Sequence, residues 1–135
     1  MFEAVQAGDL PTLQKFLGQG GDANAKLDDG STLLFEAALG GHLDCLSELL
    51  KAKADVSAVN STGGSALHAA SHMGHILCVN ALLTAGADAN VKNANAVSAL
   101  QGAAHGGHPT CVEALLVVSA ALIIKLSMNL GYRSR

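Results

Sequence analysis

Six histidines and three cysteines are the residues of this 135-residue chain best equipped for chemistry. His72 with His75, and His105 with His108, stand three positions apart. On a helix that spacing could offer two imidazoles to one metal ion. Cys45, Cys78 and Cys111 could act as soft ligands or nucleophiles. Their distribution argues against both roles. The cysteines recur every 33 residues, as do His42, His75 and His108. Copies in stacked units lie one layer apart, roughly 10 Å as for packed helices, whereas zinc gathers its ligands at about 2.0 to 2.3 Å from one centre. A catalytic constellation should be unique, and here every candidate thiol is repeated. No Walker-type loop, zinc-protease helix or nucleophile elbow is present. No enzyme activity, metal or cofactor is therefore expected, and the cysteines read as small apolar residues of a helix.

The elements that position these residues follow from composition and period. Half the residues are apolar, yet there are only three Phe, one Tyr and no Trp. Ala, Leu, Val and Gly must build a core of small side chains at close range. The net charge is −3, and all eleven carboxylates lie between Glu3 and Glu113. Lys125, Arg133 and Arg135 follow, so the body is acidic and the tail basic. Nucleic acid is excluded as a partner of the body, because phosphate binding needs clustered Lys and Arg. The start MFEAVQAGDL has no basic lead and no apolar run, unlike a secretory leader. An odd number of cysteines fits a reducing compartment. An intracellular location, cytoplasm and/or nucleus, is expected, where the sequon at Asn60, Ser61 and Thr62 is chemically idle.

Shifting the sequence by 33 residues brings Gly8, Gly41, Gly74 and Gly107 into register. The double apolar positions Phe16–Leu17, Leu49–Leu50, Leu82–Leu83 and Leu115–Leu116 also align, as do Asp22, Asp55 and Asp88. Each copy opens with a capping hydroxyl, Thr32 or Ser65, before a short helix ended by Gly. A second helix follows, with Cys45, Leu46, Leu49 and Leu50 at helical spacing. A polar bend containing Gly and Asn closes the unit. Two short helices cannot bury both faces alone, so the units must stack into a solenoid.

With SALHAASHMGHILCVNALLTAGADAN as its fullest copy, the chain resembles the ankyrin-repeat family. The resemblance implies an all-α solenoid of helix-turn-helix units with short hairpin-like bends. It covers residues 1–118: a half-repeat at 1–26 and repeats at about 27–59, 60–92 and 93–118, before a divergent tail at 119–135. It also implies that His75 and His108 tie layers together and that His68 is structural, leaving His72 and His105 without such a duty. The family's Pro is replaced by Leu33, Ala66 and Ala99, and its His by Phe35 and Gln101. Its bend Gly becomes Lys53 and Ser119, and the Gly before the third hydroxyl becomes Ala96. Weaker turns are expected there. The N-terminal half-repeat, with Glu3, Gln6, Thr12, Gln14 and Lys15, suits a solvated cap.

In that family, bend tips and the exposed side of the first helices line a concave groove for a protein partner. By position, the resemblance implies Asp28, Asp29 and Ser31; Ser61, Thr62 and Gly64; and Ala94, Asn95 and Val97 as tip contacts. Leu39, His72, Met73 and His105 are the first-helix contacts. The function expected is a non-enzymatic adaptor or scaffold, with Asp28 and Asp29 favouring a basic or mixed partner segment. CLSELL, CVNALL and CVEALL also look like repeats of SOCS-box ankyrin proteins, substrate receptors of cullin-type ubiquitin ligases, although no such box is recognisable in the tail. A different alternative is the tail as a self-association or membrane-surface element. Ala114 to Ile124 is free of charge but too short to span the bilayer, which takes about 20 residues. The tail is expected either to extend the last helix or to fold over the final layer.

Overall fold

A computed structural model of the protein describes residues 1–130. Its helices run α1 (Phe2–Gln6), α2 (Leu10–Gly18), α3 (Leu33–Gly40), α4 (Leu43–Lys51), α5 (Ala66–Met73), α6 (Ile76–Thr84), α7 (Ala99–His105) and α8 (Pro109–Asn129). The first helices form one layer, with α3 packed on α1 and α5, and α5 on α7. The second helices form the other, with α4 between α2 and α6, and α6 against α8.

Local chemistry sets the helix ends. The hydroxyl of Thr32 accepts from Phe35 N–H at 3.0 Å, that of Ser65 from His68 N–H at 3.3 Å, and that of Ser98 from Gln101 N–H at 3.2 Å. Each satisfies an N–H that the first helical turn leaves without a partner. In α5 and α7 the bond is returned: Ser65 N–H donates to His68 Nδ1 and Ser98 N–H to Gln101 Oε1. Helices α3 and α5 stop at Gly41 and Gly74, whose φ values of 72° and 79° suit glycine. Met1 gives α1 no side-chain cap, as expected of a half-repeat.

Between the layers, Leu13, Leu46, Leu49, Leu82 and Leu115 are fully buried. Each contributes about 1.5–3 kcal/mol of hydrophobic stabilisation. Ala37, Ala38, Ala70 and Ala103 are equally buried and bring the first helices close. Cys45, Cys78 and Cys111 are buried free thiols of this same core, in the role of small apolar side chains.

Each bend is a tight hairpin closed by a single antiparallel bridge: Lys26 to Thr32, Val59 to Ser65 and Lys92 to Ser98. The substituted turns keep their geometry. Lys53 has φ 69° where Gly20 and Gly86 have 84° and 94°, and Ala96 has φ 60° where Gly30 and Gly63 have 81° and 74°. The backbone of the unit prevails, and two side chains occupy a left-handed conformation that costs an L-residue about 1–2 kcal/mol.

Past Leu116 the repeat pattern is abandoned and α8 continues to Asn129, so the tail extends the last helix. The helix has 21 residues, long and apolar enough to cross a membrane by length and composition. The charge-free run Ala114 to Ile124 is thus part of a longer helix, which Lys125 does not interrupt. Arg133 and Arg135 lie outside the described residues.

Candidate functional site

Four of the histidines are committed to the framework. His42 Nε2 lies 2.9 Å from Gln6 O, His75 Nε2 3.2 Å from Leu39 O, and His108 Nε2 2.9 Å from His72 O. A carbonyl only accepts, so each Nε2 carries the proton and donates back to the preceding unit. The three rings rest on Gly8, Gly41 and Gly74, where a Cβ would strike the ring. His68 is clamped at both nitrogens: Nδ1 accepts from Ser65 N–H, and Nε2 donates to Val97 O at 3.0 Å.

The tips are stacked by backbone. Ser61 N–H donates to Asp29 O and Ala94 N–H to Thr62 O, both at 2.8 Å. At this separation a Cβ on Gly63 would come within 3.0 Å of Ala94 N. Among the described residues no further tip packs on Ala96, and a methyl fits there.

Among the expected contact residues, Asp28, Asp29, Ser61, Thr62, Ala94 and Asn95 are exposed at the tips, and Leu39, His72, Met73 and His105 at the ends of the first helices. Val97 is half-buried. Ser31 and Gly64 depart from the expectation, because both are buried. Their carbonyls close the hairpins by accepting from Leu27 N–H and Asn60 N–H, so these residues already lie on the arm that re-enters the stack.

A cleft of about 600 Å³ brings together His72, Val97 and His105 with three residues not anticipated, Asn93, Gln101 and Gly102. The rings of His72 and His105 stack nearly parallel, 12° apart in plane, with centroids 6.4 Å apart. Asp28 and Asp29 lie on the first bend, two bends away. Hydrogen bonds from Ser31, backbone first and then hydroxyl, hold the Asp29 carboxyl below its ordinary range, so it is an anion at neutral pH.

The sequence of two capped helices and a bridged bend, joined by donors that reach back one unit, has a counterpart among known families. A family model described as ankyrin repeats, three copies, matches residues 1–93. The chain belongs to the ankyrin-repeat family. No curated protein matches it. The family match stops at residue 93, and the stacking of helices continues in the structure, with α7 packed on α5 and α8 on α6 and α7. Ankyrin repeats generally serve as protein-protein interaction modules without catalytic activity. Among the described residues no group of three or more metal-ligating side chains forms. Burial pushes the thiols of Cys45, Cys78 and Cys111 up, with Asp44 and Asp9 adding to the effect at Cys45. These are properties of inert core cysteines.

Proposed function

We propose that this ankyrin stack is an intracellular adaptor or scaffold that holds a segment of a partner protein along its bend tips and the ends of its first helices. The observation that carries this reading is a division of labour. Residues that repeat are spent on stacking, whereas residues that change from unit to unit are exposed at Asp28, Asp29, Ser61, Thr62, Ala94, Asn95, Leu39, His72, Met73 and His105. Asp28 and Asp29 favour a basic stretch at the first bend. The test is amide hydrogen exchange of the chain with and without a purified partner. Protection should centre on residues 27–31, 60–64 and 93–97. Protection confined to α2, α4 and α6, or binding indifferent to a combined Asp28→Asn, His72→Leu and Met73→Ala variant, would remove the reading. Nothing in the described residues favours the ubiquitin-ligase role.

A second reading, self-association through α8, has its own observation. Leu116, Val117, Ile123, Ile124, Leu126 and Met128 are 50–73% exposed. Residues earlier in the helix, Cys111 and Leu115, are locked in the core. From Leu116 to Asn129 the free part is about 21 Å long at about 1.5 Å per residue, short of the ~30 Å hydrocarbon layer. Spanning a membrane would pull Cys111 and Leu115 from the stack, so a second copy of α8 is the favoured cover. Sedimentation equilibrium should show a dimer that Leu116→Gln with Ile123→Gln makes monomeric. A wild-type monomer, or flotation of the folded chain with liposomes, would defeat it.

A further inference from the structure

We propose that the cleft between the end of α5, the third bend and α7 is a carboxylate-binding pocket, receiving an Asp or Glu side chain of the bound segment; this rests on the groove reading above. Hydrogen-bond accounting leads there. Asn93 Oδ1 accepts from Asn95 N–H at 2.9 Å and Val97 N–H at 3.1 Å. Backbone N–H groups only donate, so the orientation of this amide is settled and its NH₂ is left over. Gln101 Oε1 accepts from Ser98 N–H at 2.9 Å, which likewise leaves Nε2 over. Neither NH₂ group has an acceptor among the described residues.

Register explains the surplus at Gln101. One unit earlier, His68 uses Nδ1 to cap its helix and Nε2 to reach the carbonyl of Val97 in the next bend. Gln101 keeps the capping bond, but among the described residues no next bend stands before its second donor. His72 and His105 add two imidazoles whose ring nitrogens have no partner among the described residues, in contrast to the other four histidines. A neutral imidazole brings one N–H each. Four donor-bearing groups thus line one cleft, with Val97 and the bare backbone of Gly102 completing it.

The complementary group is a strong acceptor with several lone pairs, and a carboxylate offers about four. Residues 93–98, α5 and α7 contain no Asp or Glu to compete for the donors. The nearest acid on a neighbouring first helix, Glu36 of α3, is buried and holds the Gln6 amide at 3.2 Å. A metal is a poorer occupant. Two nearly parallel rings with centroids 6.4 Å apart do not aim their in-plane lone pairs at a common point.

The test is an NMR titration of the full chain with two small probes, N-acetyl-glutamate N-methylamide and its glutamine counterpart, following the imidazoles and side-chain amides. The glutamate probe should give saturable shifts at His72, His105, Asn93 and Gln101, and the glutamine probe should bind about tenfold more weakly, as loss of a charge-assisted hydrogen bond implies. His72→Leu with His105→Leu should abolish the response. Leucine already stands at the equivalent position 39, and it is the carbonyl of His72, not its ring, that His108 engages, so the fold should persist, as an unchanged far-UV spectrum would show. Equal responses to the two probes, no saturable response, or shifts centred elsewhere would overturn the pocket. A failed titration beside intact tip protection in the exchange experiment would remove the pocket and leave the groove reading standing.

Discussion

Lys53 and Ala96 occupy left-handed positions that glycine fills in the neighbouring units, and their replacement by glycine makes a quantitative prediction. The left-handed conformation costs an L-residue about 1–2 kcal/mol. Glycine removes that cost and gives back about 0.4–1 kcal/mol through the greater freedom of its unfolded chain. Each of Lys53→Gly and Ala96→Gly should therefore stabilise by about 0.5–1 kcal/mol. The sites lie in different turns with no shared partner, so the double variant should gain about 1–2 kcal/mol. Urea unfolding followed by far-UV circular dichroism should show a higher midpoint at unchanged slope. The reverse swap, Gly63→Ala, adds the left-handed cost at φ 74° to a Cβ contact of 3.0 Å with Ala94 N. It should lose about 2 kcal/mol or more. A double variant no more stable than the parent, or a harmless Gly63→Ala, would refute the claim that unit geometry overrides the side chain at these turns.

Ser71 is fully buried in α5 and its hydroxyl has no hydrogen-bond partner among the described residues. Because Ala38 holds the equivalent position one unit earlier, Ser71→Ala should stabilise by about 1–3 kcal/mol, read from the same urea midpoint. Gly74→Ala would drive a methyl into the His108 ring, whereas a methyl at Gly107, with a similar φ of 77°, would meet nothing within 4 Å. Thermal melts should put Gly74→Ala below Gly107→Ala, the difference reporting the ring clamp. Stability should also have two pH limbs. The raised thiols of Cys45, Cys78 and Cys111 stay protonated in the fold, while unfolded thiols ionise from about pH 8.5. Stability is therefore complete below that pH and lost as pH rises through the folded values. Asp9, Asp29 and Asp55 are held low by Thr12, Ser31 and Ser57. Their contribution is present above about pH 3.9 and is lost as pH falls through the folded values. Urea midpoints across about pH 2.5–10.5 check both limbs, and a Cys45→Ala, Cys78→Ala, Cys111→Ala chain should flatten only the alkaline one.

Much of the framework was legible in the sequence because a repeated residue has a repeated task. Thr32 and Ser65 announced helix starts, and the family resemblance implied the layer contacts that His75 and His108 make. The tips were harder. Ser31 and Gly64 follow the turn by only a residue or two, and whether a hairpin arm is still outside or already re-entering depends on the bond that closes it. Position in a bend carries no sign of that. The cleft was half visible. His72 and His105 stood out as histidines without a duty, but their stacking depends on two different units. The spare donor of Gln101 arises because, among the described residues, no following bend meets it. The full length of α8 is hidden from a charge-based reading, because a single lysine is as good a helix former as its neighbours and marks no boundary.

The histidine bonds to Gln6, Leu39 and His72, and the backbone bonds between tips, share a direction: the donor belongs to the later unit and the acceptor to the earlier one. During synthesis, where N-terminal parts form first, each new Gly-His pair and each new tip leaves the ribosome to find its acceptor already in place. The stack is built like a course of bricks, each row tied by its Gly-His ring and its tip to the row below, while a few side chains such as His68 wait for the next row to complete their bonds.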